Sequence, residues 1–209
     1  MKTNPFFKRI ALILLFCCCS LATNAFAQVG LCDSCPSAPT DDAQHTVATP
    51  PWNSGNISIT YNGCNVTICY GCRQTSLTNF DYTITQICID SACFASMGTT
   101  WDALRNALLR EVLLNNPCNF PCPSCPNSDI SWSESQMTCW KTIAIYDIFT
   151  HRTRYITFAC PAHGWCLNAY KVCCDADGTR HFTYYRSVST GGCDANDPYC
   201  VAQSCPTHF

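Results

Sequence analysis

Between Asn56 and Ile89 apolar and polar residues alternate with the two-residue period of strands covered on one face. Ile57, Ile59 and Tyr61 share one side, Asn62-Gly63 supplies the positive-φ pair that a type I′ turn requires, and Val66, Ile68 and Tyr70 resume the alternation. This predicts a hairpin. A third run, Asp81 to Ile89, sets Tyr82, Ile84 and Gln86 against Thr83, Thr85 and Ile87 and suits a strand added to that hairpin as a meander. The period then changes. Trp101, Leu104, Leu108 and Val112 recur at three- and four-residue steps, with Thr99 and Asp102 as a capping pair and Asn116-Pro117 as the stop, so Thr99–Asn115 reads as the single helix. Its apolar stripe, widened by Ala107 and Leu109, is expected to cover one face of the sheet.

Residues 117–135 carry Cys118, Cys122 and Cys125 among four prolines and several Ser and Asn residues, the pattern of a stapled connector. Near Cys139 a run with Ile143, Ile145 and Phe149 on one side and Ala144, Tyr146 and Ile148 on the other is apolar on both faces, which predicts a central strand. His151-Arg152 marks the following turn, Tyr155 to Cys160 a returning strand and Cys166 to Cys174 another. Asp177-Gly178 then turns the chain into an aromatic strand in which Phe182 and Tyr184 take one face and Tyr185 the other. One of those faces must fill the core. The surplus on the other is a platform for a sugar or peptide.

The amino terminus differs from all of this. Lys2, Lys8 and Arg9 precede an apolar run from Ile10 to Cys19, and Ala25-Phe26-Ala27 closes the segment, so residues 1–27 read as a signal peptide cleaved after Ala27. The apolar run is shorter than the roughly 20 residues a membrane-spanning helix needs. Residues 28–55, with Cys32 and Cys35 and no sustained periodicity, read as an extended leader held by its cysteines. Once the signal is removed, 9 basic residues face 14 acidic ones, which argues against nucleic acid or an anionic membrane as a partner. Ser, Thr, Asn and Gln make up 53 of the residues in 28–209, so the solvated surface is built mainly of uncharged polar groups.

Residues 28–209 contain 18 cysteines: Cys32, Cys35, Cys64, Cys69, Cys72, Cys88, Cys93, Cys118, Cys122, Cys125, Cys139, Cys160, Cys166, Cys173, Cys174, Cys193, Cys200 and Cys205. An even number at this density in an exported chain is read as a set of structural disulfides whose connectivity stays open. Cys173 and Cys174 point to opposite faces of one strand and should take different partners, one inside the fold and one across its surface. Metal binding is the sharper alternative. Cys32-x-x-Cys35, Cys69-x-x-Cys72 and Cys122-x-x-Cys125 have the gap that presents two thiolates to zinc, but they lie about 30–50 residues apart in a chain bound for an oxidising space. None opens a helix, as a redox-active pair would. His163, between Cys160 and Cys166, is read as a loop histidine.

Enzyme signatures are missing: the chain has no Gly-x-Ser-x-Gly elbow, zinc-protease helix or phosphate loop. With Glu111 and Glu134 as the two glutamates, a carboxylate pair would have to draw on Asp81, Asp90, Asp129 or Asp147, most of them at strand ends where turn capping explains them. Asp175, Asp177 and Gly178 lack the downstream glutamate of a calcium loop. His45 and His208 lie near the termini, and His151 and His181 in or near turns. Asn56-Ile-Ser58 and Asn65-Val-Thr67 match the glycosylation tripeptide, which is common by chance.

The expected fold class is α+β, mainly antiparallel hairpins and meander with one amphipathic helix, rich in disulfides. Residues 56–209 form that domain, with a division into lobes 56–116 and 136–209 across the connector left open. The functional reading is a secreted or cell-surface non-catalytic module, binding or structural, whose partner is an extracellular protein or a glycan. It requires no cofactor or metal and no membrane span after cleavage. The alternatives are a secreted hydrolase using Asp147, His163 or His181, and a cysteine-based zinc protein.

Overall fold

The computed structural model describes residues 32, 34–36, 51–126, 128–148, 150–160, 164–190, 192–193 and 197–205. The signal segment, most of the leader, Phe149, His45, His163 and His208 lie outside the described residues. Nine strands make one largely antiparallel sheet: β1 Asn53–Tyr61, β2 Cys64–Gln74, β3 Asn79–Asp90, β4 Ser131–Met137, β5 Cys139–Asp147, β6 Arg152–Ala159, β7 Trp165–Cys174, β8 Arg180–Thr190 and β9 Val201–Ala202. Two helices, α1 Ser91–Ser96 and α2 Trp101–Asn115, lie between β3 and β4.

The first hairpin forms at the expected turn, with Asn62 at φ 47° and Gly63 at φ 78°. β3 pairs with β2 along one edge, but its other edge is shared. β4 runs parallel beside residues 79–82, and β6 runs antiparallel beside residues 86–90. A register shift opposite Cys69 and Tyr70 falls between these two segments. A bulge there bends and twists the strand, which carries the second half of β3 away from β4 and towards β6. The sheet therefore forks into β4–β7–β8 and β6–β5–β9. The bulge also breaks simple alternation: Tyr82 and Ile84 enter the core, then Ile87 and Ile89, while Gln86 leaves the expected face.

On the inner face, Leu104, Leu108, Leu109, Val112 and Leu113 of α2 pack in one cluster with Ile68, Ile84, Tyr82, Trp132 and Tyr170 from the sheet. Each such side chain removed from water contributes about 1.5–3 kcal/mol. The helix is capped by Thr100, whose Oγ1 accepts from the Ala103 amide at 3.2 Å, and not by Thr99. Asn116, at φ 46°, ends it. Its buried face also carries Arg105, which donates from Nε to Gln136 Oε1 at 2.9 Å, and from its other nitrogens to Gln203 Oε1 at 3.1 Å and the Ser204 carbonyl at 3.0 Å. That side chain ties the carboxy-terminal segment to α2 and β4.

Three expectations change. The single expected helix is preceded by α1, which Asp90 caps through Oδ1 and whose six residues are too few to show a period. The connector expected over 117–135 ends at Ile130. Ser131–Met137 is a fully buried central strand between β3 and β7, hidden in the sequence because serine occupies one face and Trp132, Glu134 and Gln136 the other. Conversely, β5 is not central: β9 reaches it at Cys139 and Trp140, and among the described residues the rest of that edge is unpaired. It reads as apolar on both faces because Ile143 and Ile145 pack around Cys32, Cys88 and Ile156, while Ala144 and Tyr146 remain exposed.

Nine disulfides take all eighteen cysteines of residues 28–209. The first four pair Cys32–Cys88, Cys35–Cys69, Cys64–Cys93 and Cys72–Cys118. The other five are Cys122–Cys174, Cys125–Cys173, Cys139–Cys193, Cys160–Cys200 and Cys166–Cys205. Each Cys-x-x-Cys pair is thus divided between distant partners, which leaves no free thiolate for zinc or for disulfide exchange. Cys173 and Cys174 take different partners, but both are half-buried and both bond the same connector, which runs beside the end of β7 with the Cys174 amide donating to the Pro123 carbonyl at 2.8 Å. No helix among the described residues is long and apolar enough to cross a membrane.

Candidate functional site on the outer face

The face of the sheet opposite α2 carries a cross-strand row in which Asp81 of β3, Ser133 of β4, Ala169 of β7 and Arg186 of β8 lie side by side. The two middle residues are small, so larger neighbours leave a depression between them. That depression is a cavity of about 200 Å³, closed at its sides by Leu167, Tyr185 and the Thr75–Asn79 turn.

Tyr185 reaches this face through a bulge. Tyr184 pairs with Tyr170 and Arg186 with Ala169, so Tyr185 is the extra residue, and two successive side chains project towards the same cavity. Tyr184 and Phe182 turn inward, where Phe182 meets Trp132 at 5.8 Å between ring centroids and Tyr170 at 6.1 Å. The Tyr185 ring is half exposed, its hydroxyl lies 2.6 Å from Ser131 Oγ, and the Lys171 ammonium sits 5.6 Å from its centroid. The ring is thereby fixed in place, which lowers the entropy cost of using it as a contact surface.

Asp81 is the one carboxylate of the groove. It accepts from Arg73 Nε at 3.1 Å, both side chains are nearly buried, and the Arg73 guanidinium stacks 4.0 Å from the centroid of Trp52. A buried pair of this kind is costly to break, so Asp81 acts as a fixed acceptor wall. Arg186 is exposed and has no side-chain partner among the described residues.

The remaining sequence candidates are dispersed. Asp90 Oδ1 accepts from the Ala92 and Cys93 amides at 2.9 and 3.1 Å, and Asp147 Oδ1 from the Thr150 amide at 3.2 Å, which is capping and turn chemistry. Asp129 is exposed in the connector. The Thr179 amide, 2.9 Å from Asp177 Oδ1, holds that carboxyl below its ordinary range at the β7–β8 turn. His181 Nε2 meets Asp175 Oδ2 at 2.7 Å, and Cys125 Sγ lies in the same cluster, but that sulfur is bonded to Cys173 and the other two groups are exposed. His151 lies in the β5–β6 turn, 3.1 Å from the Tyr146 hydroxyl.

Glu134 is the most perturbed acid. It lies on the inner face, opposite Ser133, where its Oε1 accepts from Asn168 Nδ2 at 2.6 Å and the Tyr170 hydroxyl at 3.1 Å. Burial pushes its carboxyl up to about 7, against the opposing pull of those two donors. Covered by the core, it does not line the groove. Reasoning from sequence missed Ser133 and Arg186 as groove residues and Arg73 as the partner of Asp81; the alternation of Ser131, Ser133 and Ser135 with Trp132, Glu134 and Gln136 was the available signal for the central strand. Compared with known protein families, curated proteins and solved structures, the chain matches none.

Proposed function

We propose that this protein is exported by cleavage after Ala27 and acts, outside the cell or at its surface, as a non-catalytic binding module whose outer-face groove holds a saccharide unit. The disulfide-rich compact fold is consistent with an extracellular protein, because such bonds persist in oxidising compartments. The carrying observation is the groove itself: a bulge-presented tyrosine, a small-residue floor, a fixed acceptor in Asp81 and, in Arg186, a donor with no side-chain partner among the described residues. Hydroxyl-rich ligands use such a mixture of ring face, acceptor and donor, whereas an apolar peptide would leave the polar groups unpaired. At about 200 Å³ the cavity is below the roughly 300–1,000 Å³ of pockets that enclose whole drug-sized ligands, so it suits one unit of a longer chain.

Glycan-array screening followed by calorimetric titration tests this. Tyr185→Ala should weaken the best ligand about three- to tenfold, the range of one aromatic contact. Arg186→Gln should weaken it comparably. A ligand bound with unchanged affinity by both variants, or turnover of hydrolase substrates without glycan binding, would sink the proposal.

A further inference from the structure

A second cavity of about 200 Å³ opens on the same outer face, lined by Asn65 and Thr67 of β2, Cys88 and Asp90 of β3, and Arg152 and Arg154 of β6. Arg154 lies beside Asp90 in the sheet register, and Arg152 stands two residues away on the same face of β6. At about 3.4 Å per residue, the two guanidinium stems leave the strand about 7 Å apart, a spacing that one small anion can bridge.

The charge state of this cavity is unusual for the chain. Six of the nine cations in residues 28–209 are engaged within the described residues. Arg73 pairs with Asp81 and Lys141 with Asp197, Arg105 sits in its buried network, Lys171 donates to the Asp129 carbonyl and Arg180 to the Leu114 carbonyl, and Arg110 also has a partner. Among the described residues, the three side chains without a partner are Arg186, in the groove, and Arg152 and Arg154, both in this second cavity. Asp90 beside Arg154 and Asp147 beside Arg152 each add a negative charge, but Asp90 Oδ1 is committed to two amides of α1 and Asp147 Oδ1 to the Thr150 amide. The two guanidinium groups still repel each other, and an anion between them offsets that repulsion. Guanidinium groups suit carboxylate and sulfate because their planar N–H forks donate to two oxygens at once.

We infer that the Arg152–Arg154 cavity is an oxyanion-binding site, taking a carboxylate or sulfate group with Asn65 and Thr67 available to neighbouring hydroxyls. It is separate from the groove, and either assignment can fail without the other. The test uses the complete oxidised protein, made in a host that does not glycosylate Asn65. Sodium sulfate replaces chloride at constant ionic strength, since screening changes alone move exposed charges. The arginine Nε–Hε signals are followed by NMR.

Saturable shifts confined to Arg152 and Arg154 are expected. Arg154→Gln should weaken binding threefold or more, Arg152→Gln/Arg154→Gln should abolish it, and Arg152→Lys/Arg154→Lys, which keeps charge but loses the fork, should fall between. Acetate and glucuronate arms extend the result to carboxylates; the latter binding more tightly would assign the hydroxyl contacts. Shifts that stay linear in sulfate, that appear equally at Arg180, or that persist in the double glutamine variant would overturn the assignment.

Discussion

Replacing Glu134 with glutamine removes a proton-binding site from the core while keeping its shape and its capacity to accept from Asn168 and Tyr170. Burial holds the carboxyl up at about 7 in the fold, against its ordinary 4.5 when the chain is unfolded. Below pH 4.5 it is protonated in both states. Between those values the native protein keeps a proton that the unfolded chain has lost, so stability falls as pH rises, and above pH 7 the penalty is constant. With about 1.4 kcal/mol per unit, the native state loses about 3 kcal/mol from this group across that window. Glutamine does not titrate, so the stability difference between Glu134→Gln and wild type should grow in favour of the variant by about 3 kcal/mol between pH 4 and 8. Urea unfolding with the disulfides intact, followed by tryptophan fluorescence, measures it. Asn168→Ala should raise the midpoint further, because Asn168 donates to the ionised form. A difference that is flat with pH, or that grows as pH falls, would refute the reasoning.

Two other perturbations follow from packing and cross-linking. Arg105→Ala strips the partners from Gln136 Oε1, Gln203 Oε1 and the Ser204 carbonyl at once and should cost about 3–5 kcal/mol, with faster hydrogen exchange at Gln203, whose amide donates to the Thr138 carbonyl. Cys72→Ser/Cys118→Ser opens a loop of 46 residues and should lower stability by at most about 4 kcal/mol in urea unfolding, less to the extent that overlapping bonds already restrict the unfolded chain.

The first hairpin was legible because Asn62-Gly63 carries its conformation locally and the strands beside it alternate; at Asp177-Gly178 the chain does turn, but through the five-residue loop 175–179, in which Gly178 and not Asp177 takes positive φ. What escaped the sequence depends on partners far away. Ser131–Met137 is central because β3 and β7 flank it, not because its residues are apolar, and its buried Glu134 and Gln136 oxygens accept from Asn168, Tyr170 and Arg105 of other elements. β5 is apolar on both faces for the opposite reason: its outer side packs around a leader cysteine that local periodicity cannot reveal. The opposed faces of Phe182 and Tyr185 were visible. The groove beneath Tyr185 was not, since it needs four strands in register and two small residues in the middle row.

The disulfides divide the backbone in a way that their number alone does not convey. Every peptide bond from Cys32 to Cys118 is spanned by at least one cross-link, as is every one from Cys122 to Cys205, and none spans the stretch between. A proteolytic nick elsewhere within those limits leaves one covalent molecule. A nick between Cys118 and Cys122 would release two chains held together by packing and hydrogen bonds alone. That thread is Asn119, Phe120 and Pro121, and it is guarded: the Asn116 side chain binds both the amide and the carbonyl of Phe120 at 2.8 and 2.9 Å, and the ring lies among Phe80, Tyr82 and Trp132. Separating the two covalent halves with a single nick therefore requires the local opening of this one clamp, which Asn116 holds.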